Sequence, residues 1–264
     1  MSYESHLESK KYFDDTATIY NQRSVGLVYD FSSLIFKRRN EIVKKFISPS
    51  EGRQTILDYG MGPGVFAKHF TENGFSFIGI DISTKMVKMA QALKLENAIF
   101  EVGDVDSLND YEGKIDYVVA IGLIDYVEEP MKVIRLLSGC VNEDGNLIIS
   151  FRNRYSLPRI LRDIVKWISG RVLKNKFKNS EKVFFTSQHE HSFDFTTQIL
   201  PVLKGLGFNS FKVKYFNCSP IFFNFSIKPW IWYKWFKIDL KMSTSLTKIF
   251  CSGFVVSASK EVKK

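Results

Sequence analysis

Three cysteines, Cys140, Cys218 and Cys251, are all that this 264-residue chain contains, and they stand far apart with no Cys-x-x-Cys pair or histidine cluster nearby. That spacing points to neither a disulfide framework nor a zinc site, and no metal is expected. The sequence also lacks any tract of 18 or more uninterrupted apolar residues, so no membrane-spanning helix is expected. The opening Met-Ser-Tyr-Glu-Ser-His is polar and carries no signal-peptide core, which leaves a cytoplasmic location as the default expectation. Internal repeats and low-complexity tracts are absent too.

What is present is unevenly distributed. Residues 1–150 hold 16 Lys and Arg against 22 Asp and Glu, a net charge of −6, whereas residues 151–264 hold 21 against 6, a net charge of +15. Such asymmetry implies two different partners, a cationic one for the first half and an anionic one for the second. At this length one core suffices, and a single α/β domain with insertions is expected over 1–264.

The densest information lies in 55–64, Thr-Ile-Leu-Asp-Tyr-Gly-Met-Gly-Pro-Gly, where a β-branched run ends in glycines at alternate positions. Helical spacing resumes at Val65, so Gly60, Gly62 and Gly64 mark a strand-to-helix turn that brings backbone close to a ligand. A P-loop is excluded, because Val65 and Phe66 follow where Lys and Ser or Thr are required. A dinucleotide fingerprint is met from Gly62 only in relaxed form, with Ala67 in place of the third glycine.

The stretch Leu57-Asp58-Tyr59-Gly60-Met61-Gly62-Pro63-Gly64 resembles motif I of the class I S-adenosylmethionine (SAM) methyltransferases. Three later segments resemble the same superfamily in order and spacing. Phe77 to Ile80 end at Asp81, which the resemblance implies as the acceptor of both ribose hydroxyls. Gly103-Asp104-Val105 is similar to the adenine-binding segment, and Leu123-Ile124-Asp125-Tyr126-Val127 to the segment between cofactor and acceptor. The implied cofactor contacts are Asp58, Tyr59, Gly60, Gly62, Gly64, Asp81, Ile82, Asp104, Val105 and Ile121. Each has a plainer reading alone: Asp81 as a helix cap, although Ser83 serves as well, and Asp104 as a turn residue. Met61, Pro63 and Tyr126 depart from the usual motif residues.

Strands are expected near 55–59, 76–80, 98–102, 115–121, 145–151, 211–215 and 249–258, with helices near 63–73, 84–93, 130–139 and 196–206. Alternation of strand and helix gives a Rossmann-like, seven-stranded, mostly parallel sheet with an antiparallel last strand and helices on both faces. Gly145 is expected to make the turn into the fifth strand. Residues 1–50 are expected to form a helical cap and 51–151 a SAM-binding core. A basic insertion over 152–192, and an aromatic one over 216–248 within the remaining 193–264, are expected above the active-site edge.

In the first insertion Arg152, Arg154, Arg159, Arg162 and Lys166 interleave with Leu157, Ile160, Leu161 and Ile164 as a basic amphipathic helix. In the second, Trp230, Trp232 and Trp235 stand among lysines, a composition that suits an anionic membrane surface or an apolar acceptor pocket. Nucleic acid ranks lower, since no RNA-binding module accompanies these residues. Tyr126, His189 and His191 are the candidate bases, and a His-x-His pair without a further ligand reads as loop rather than metal site. Tyr12-Phe13-Asp14-Asp15 and Ala17 to Tyr20 are similar to the cap segment of the ubiquinone and menaquinone methyltransferases, and the resemblance implies SAM-dependent methylation of a small or lipid-linked acceptor, with oxygen the favoured target; the two insertions add the expectation of a peripheral position on the cytoplasmic membrane face. An RNA or protein methyltransferase, or a noncatalytic SAM-binding partner subunit, is the alternative.

Overall fold

The computed structural model describes residues 3–24, 27–28, 31–49, 52–157, 191–218 and 245–260, together with 159–161, 163–164, 228, 230–231, 234 and 237. Seven strands form one sheet: β1 (Thr55–Tyr59), β2 (Ser76–Asp81), β3 (Ala98–Val102), β4 (Ile115–Ala120), β5 (Val141–Arg152), β6 (Ser210–Cys218) and β7 (Cys251–Ser259). Their order is β3-β2-β1-β4-β5-β7-β6, and β7 runs antiparallel to both of its neighbours while β1 to β5 pair in parallel. The expected Rossmann-like architecture is therefore the observed one.

Consecutive apolar residues in the central strands point to opposite faces, so each strand feeds two cores. Leu57, Val118, Leu147 and Val256 line one face with Val133, Ile134 and Leu137 of α5 (Pro130–Cys140). Ile56, Val119, Ile148 and Val255 line the other, covered by Ile42 and Val43 of α2 (Phe31–Phe46) and Phe70 of α3 (Ala67–Glu72). Helix α1 (Tyr3–Ser24) packs on α2 and on α4 (Thr84–Gln91), and α6 (Leu200–Gly205) follows a π turn at Phe195–Ile199 that Asp194 caps.

Three expectations change in detail. The helix after motif I starts at Ala67 rather than 63, because Gly60, Gly62 and Gly64 all have positive φ and hold the chain in a turn. Strand β5 begins at Val141, not 145, and Gly145 sits where the β4–β5 register shifts, between Val141 paired with Ile115 and Asn146 paired with Tyr117. A Cβ there would lie 2.9 Å from the Ile115 carbonyl oxygen and 2.7 Å from Val141, so glycine serves close strand approach at an irregularity in the β4–β5 register. Cys251 is disulfide-bonded and lies opposite Cys218 in the β6–β7 register, whereas Cys140 is free and buried. Sequence spacing did not show Cys251 as bonded, because an antiparallel pairing brings together backbones far apart in the chain.

Candidate active site

The sheet order reverses between β1 and β4, and the crevice beyond their C-terminal ends is where open α/β sheets hold ligands. The glycine turn lies there. Gly60 N–H donates to the Ile80 carbonyl at 2.8 Å, fastening the turn to β2. Gly62 N–H donates to Asp81 Oδ2 at 2.8 Å, and Ser83 N–H to Asp81 Oδ1 at 2.9 Å. Asp81 is buried, which pushes its carboxyl up while those two donors draw it down. Each oxygen keeps a lone pair for a further donor. Ser83 is the actual cap of α4, accepting from Met86 N–H at 3.1 Å.

Asp58, at the fourth position of β1, is wholly enclosed and its Oδ2 has no hydrogen-bond partner. Burial, then the charge of Asp81, push its carboxyl up to about 8, against the pull of Arg39. Arg39 comes from α2 and was not singled out from the sequence. Its Nε is likewise buried without a partner. Gly122, just beyond β4 at φ +72°, gives it room, since a Cβ there would collide with the guanidinium. Tyr20 of α1 covers Gly62, whose Cβ would stand 3.3 Å from the ring, and contacts Arg39. Only the Arg38-Arg39 pair on an amphipathic helix hinted at this, and nothing in its spacing says which arginine reaches Gly122 and Tyr20.

The remaining candidates fall into three groups. Tyr59 is buried beside Asp104 and Asp81, and burial followed by those charges raises its phenol. Asp104 Oδ1 accepts from Asp106 N–H at 3.0 Å and so caps the 3-10 turn Val105–Tyr111; Ile82 and Val105 are half-buried near the same edge. Ile121, just past β4, is buried in the same cluster as Ile56, Val119 and Ile148.

On the acceptor side, the structure joins segments that are remote in sequence. His191 N–H donates to the Asp125 carbonyl at 2.8 Å, and Arg152 N–H to Asp125 Oδ1 at 2.8 Å. Arg152 Nη2 donates to Tyr126 Oη at 2.9 Å. Asp125 is pushed up to about 6 by burial, against Arg152, Arg39 and Arg159. Two of the three candidate bases, Tyr126 and His191, thus flank Asp125, and His189 lies outside the described residues. Among those residues no group of His, Cys, Asp and Glu could hold a metal ion.

The reversal point, its glycine turn and the buried acids ending β1 and β2 define a doubly wound fold built to hold a small cofactor at its edge. The chain belongs to the methyltransferase domain family, whose model matches residues 31–194. It is 28% identical over 120 residues to a ubiquinone biosynthesis O-methyltransferase of Xanthomonas axonopodis pv. citri, covering 44% of this chain and 49% of that protein. An uncharacterized protein of Methanocaldococcus jannaschii is 26% identical over 184 residues, 70% of this chain and 77% of its own. The chain spans about half the length of the named O-methyltransferases it matches. In fold it is similar to magnesium protoporphyrin IX methyltransferase of Synechocystis with bound SAM, at TM-score 0.61 and 18% identity over 97% of each chain. Phosphoethanolamine N-methyltransferase 2 of Haemonchus contortus is similar at TM-score 0.55 and 16% identity, covering 86% of this chain and 53% of its own.

Proposed function

We propose that this chain binds SAM in the crevice at β1, β2 and β4 and transfers its methyl group to an oxygen of a small or lipid-linked acceptor. The observation that carries the reading is a pair of orphaned buried atoms, Asp58 Oδ2 just before the glycine turn and Arg39 Nε, whose guanidinium lies against Gly122. A buried acceptor and a buried donor without partners are costly unless a ligand completes them. The amino acid end of SAM carries the complement, an ammonium for Asp58 and a carboxylate for Arg39. Asp81 keeps lone pairs for the ribose hydroxyls, and Asp104 with Val105 would meet the adenine.

SAM supplies a methyl group on an already activated sulfonium. The protein's part is to align the acceptor oxygen in line with it and to exclude water. Tyr126, next to Asp125 in the chain, and His191, whose N–H bonds the Asp125 carbonyl, would orient that oxygen or take its proton. Likeness to ubiquinone biosynthesis O-methyltransferases supports oxygen as the target.

A membrane-facing form of this reading is favoured by one observation. Leu157, Ile160, Leu161 and Ile164 recur at helical spacing in the basic insertion and are 36–47% exposed. Leucine and isoleucine so arranged beside arginines suit the surface of an anionic bilayer. No helix among the described residues is long and apolar enough to cross a membrane.

Incubation of the full chain with labelled SAM and a membrane-lipid extract tests the function. Label should pass to extractable lipids or small phenols, and Asp81→Ala, which removes the ribose acceptor, should weaken SAM binding by ~2 to 4 kcal/mol, about thirty-fold or more. Label appearing only in RNA or protein would favour the alternative substrates. SAM binding without transfer to any fraction would favour a noncatalytic subunit.

A further inference from the structure

We propose that Tyr20 is a positioning residue that holds the Arg39 guanidinium apart from Asp58, and so makes the cofactor crevice selective for a ligand with a zwitterionic amino acid end. This rests on the methyltransferase reading, because it concerns the cofactor subsite assigned there. The charges of Arg39 and Asp58 act on each other, yet Asp58 Oδ2 and Arg39 Nε are both buried without a hydrogen-bond partner. A carboxylate and a guanidinium that share a buried crevice ordinarily close into a hydrogen-bonded pair. At the Asp58 carboxyl, burial and Asp81 outweigh the pull of Arg39, as they would not in a closed pair. Something holds this pair open.

Three contacts fix Arg39. Phe36 and Arg39 stand three residues apart on α2, hence on one face of the helix, and the guanidinium carbon lies 5.2 Å from the centroid of the Phe36 ring. Gly122 lies against the guanidinium, where a Cβ would collide with it. The third contact is Tyr20, whose phenol oxygen is hydrogen-bonded by the Arg39 side chain. Tyr20 is itself held. Its ring meets Phe36 edge-on, with centroids 4.8 Å apart and an interplanar angle of 82°, and it covers Gly62. Asp81 and Asp58 also act on this phenol, which places it among the same charges as Arg39. Phe36 and Gly122 restrict the guanidinium sterically, and the phenol oxygen adds the directional bond that keeps it from turning onto Asp58. Guanidinium and carboxyl then remain two separate poles. An ammonium and a carboxylate on one carbon present the complementary pair, whereas a ligand without them leaves both poles uncompensated. Fixing the arginine beforehand also spares the ligand the cost of ordering a flexible side chain.

The test is calorimetric titration of the full chain with S-adenosylhomocysteine and with 5′-methylthioadenosine, the same adenosyl thioether without the amino acid end. The wild-type chain should bind S-adenosylhomocysteine about tenfold more tightly or better. Tyr20→Phe removes one oxygen and keeps the ring over Gly62, so affinity for S-adenosylhomocysteine should fall roughly 3- to 10-fold while that for 5′-methylthioadenosine stays within about twofold. Arg39→Gln should lose the preference itself, and in that background Tyr20→Phe should change nothing further, because the phenol acts through Arg39. A merely structural part for Tyr20, in seating α1, would weaken both ligands alike, and that outcome overturns the inference. So does a Tyr20→Phe chain that binds both ligands like wild type, or a further loss in the Arg39→Gln background. Equal affinity of the wild-type chain for the two ligands overturns it without any variant. Failure of the wild-type chain to bind either ligand is a separate result, which overturns the methyltransferase reading and this inference with it.

Discussion

Asp58 is the residue whose environment most constrains the chemistry. Its carboxyl is pushed up to about 8 by burial and by Asp81, so below that pH it is mostly protonated when no ligand is bound. A bound ammonium favours the ionised form and must therefore expel that proton. SAM affinity should thus fall as pH drops below about 8, by at most about tenfold per pH unit, and binding near neutral pH should release a proton. Calorimetry in two buffers of different ionisation enthalpy measures the release, and Asp58→Asn should eliminate it. Proton-neutral binding by the wild-type chain would sink the assignment of Asp58 to the ammonium. Asp58 and the glycines were legible in the sequence because a strand-to-turn junction has a local signature. Arg39 was not, since its part depends on space left by Gly122, and Gly79 was not, since it accommodates the Met61 sulfur across neighbouring strands. Such contacts are set by tertiary packing, which leaves no trace in residue spacing.

Among the elements, α1 is tied to α4 through the side chain of Asp14. Asp14 Oδ1 accepts from the Ser83 hydroxyl and from Lys85 N–H at 3.1 Å, so a side chain of α1 caps the first turn of α4. Burial pushes the Asp14 carboxyl up, yet these hydrogen bonds, with Lys10 and Lys85, leave it below its ordinary value. Tyr20, further along the same helix, lies over Gly62. Losing a carboxylate cap costs ~1 kcal/mol, and Asp14→Ala should open α1 locally without unfolding the sheet. Hydrogen exchange over 3–24 should quicken several-fold, and release of S-adenosylhomocysteine should quicken with it; unchanged exchange in that helix would show that Asp14 does not hold it. At this scale the sequence was most informative for β1 to β4 and α4, where apolar runs and caps are local. It was least informative for the start of β5, where a register irregularity extends pairing back to Val141.

The charge division of the whole molecule, −6 over 1–150 and +15 over 151–264, separates an acidic half that holds β1 and β2 from a basic half that holds β6 and β7. In the proposed reading, the acids near the ends of β1 and β2 surround the site for the cationic sulfonium, and Arg152 begins the basic half at the end of β5. The exposed stripe Leu157, Ile160, Leu161 and Ile164 starts just beyond that edge, and Trp230 in the aromatic insertion is 58% exposed. Trp232 and Trp235, like Arg162 and Lys166, lie outside the described residues. If the stripe rests on an anionic bilayer, binding to vesicles should rise with phosphatidylglycerol content and fall with salt, each nearby Lys or Arg contributing about 1 kcal/mol. Ile160→Ser with Ile164→Ser is the informative variant. It removes apolar area without touching Arg159, which is tied to Ser252, and so separates lipid contact from local folding. Vesicle affinity should drop roughly tenfold or more while affinity for SAM is unchanged. Vesicle binding absent at low salt would turn the proposal toward a freely diffusing acceptor. Salt-sensitive binding to RNA but not to lipid would make the basic half a nucleic-acid surface instead.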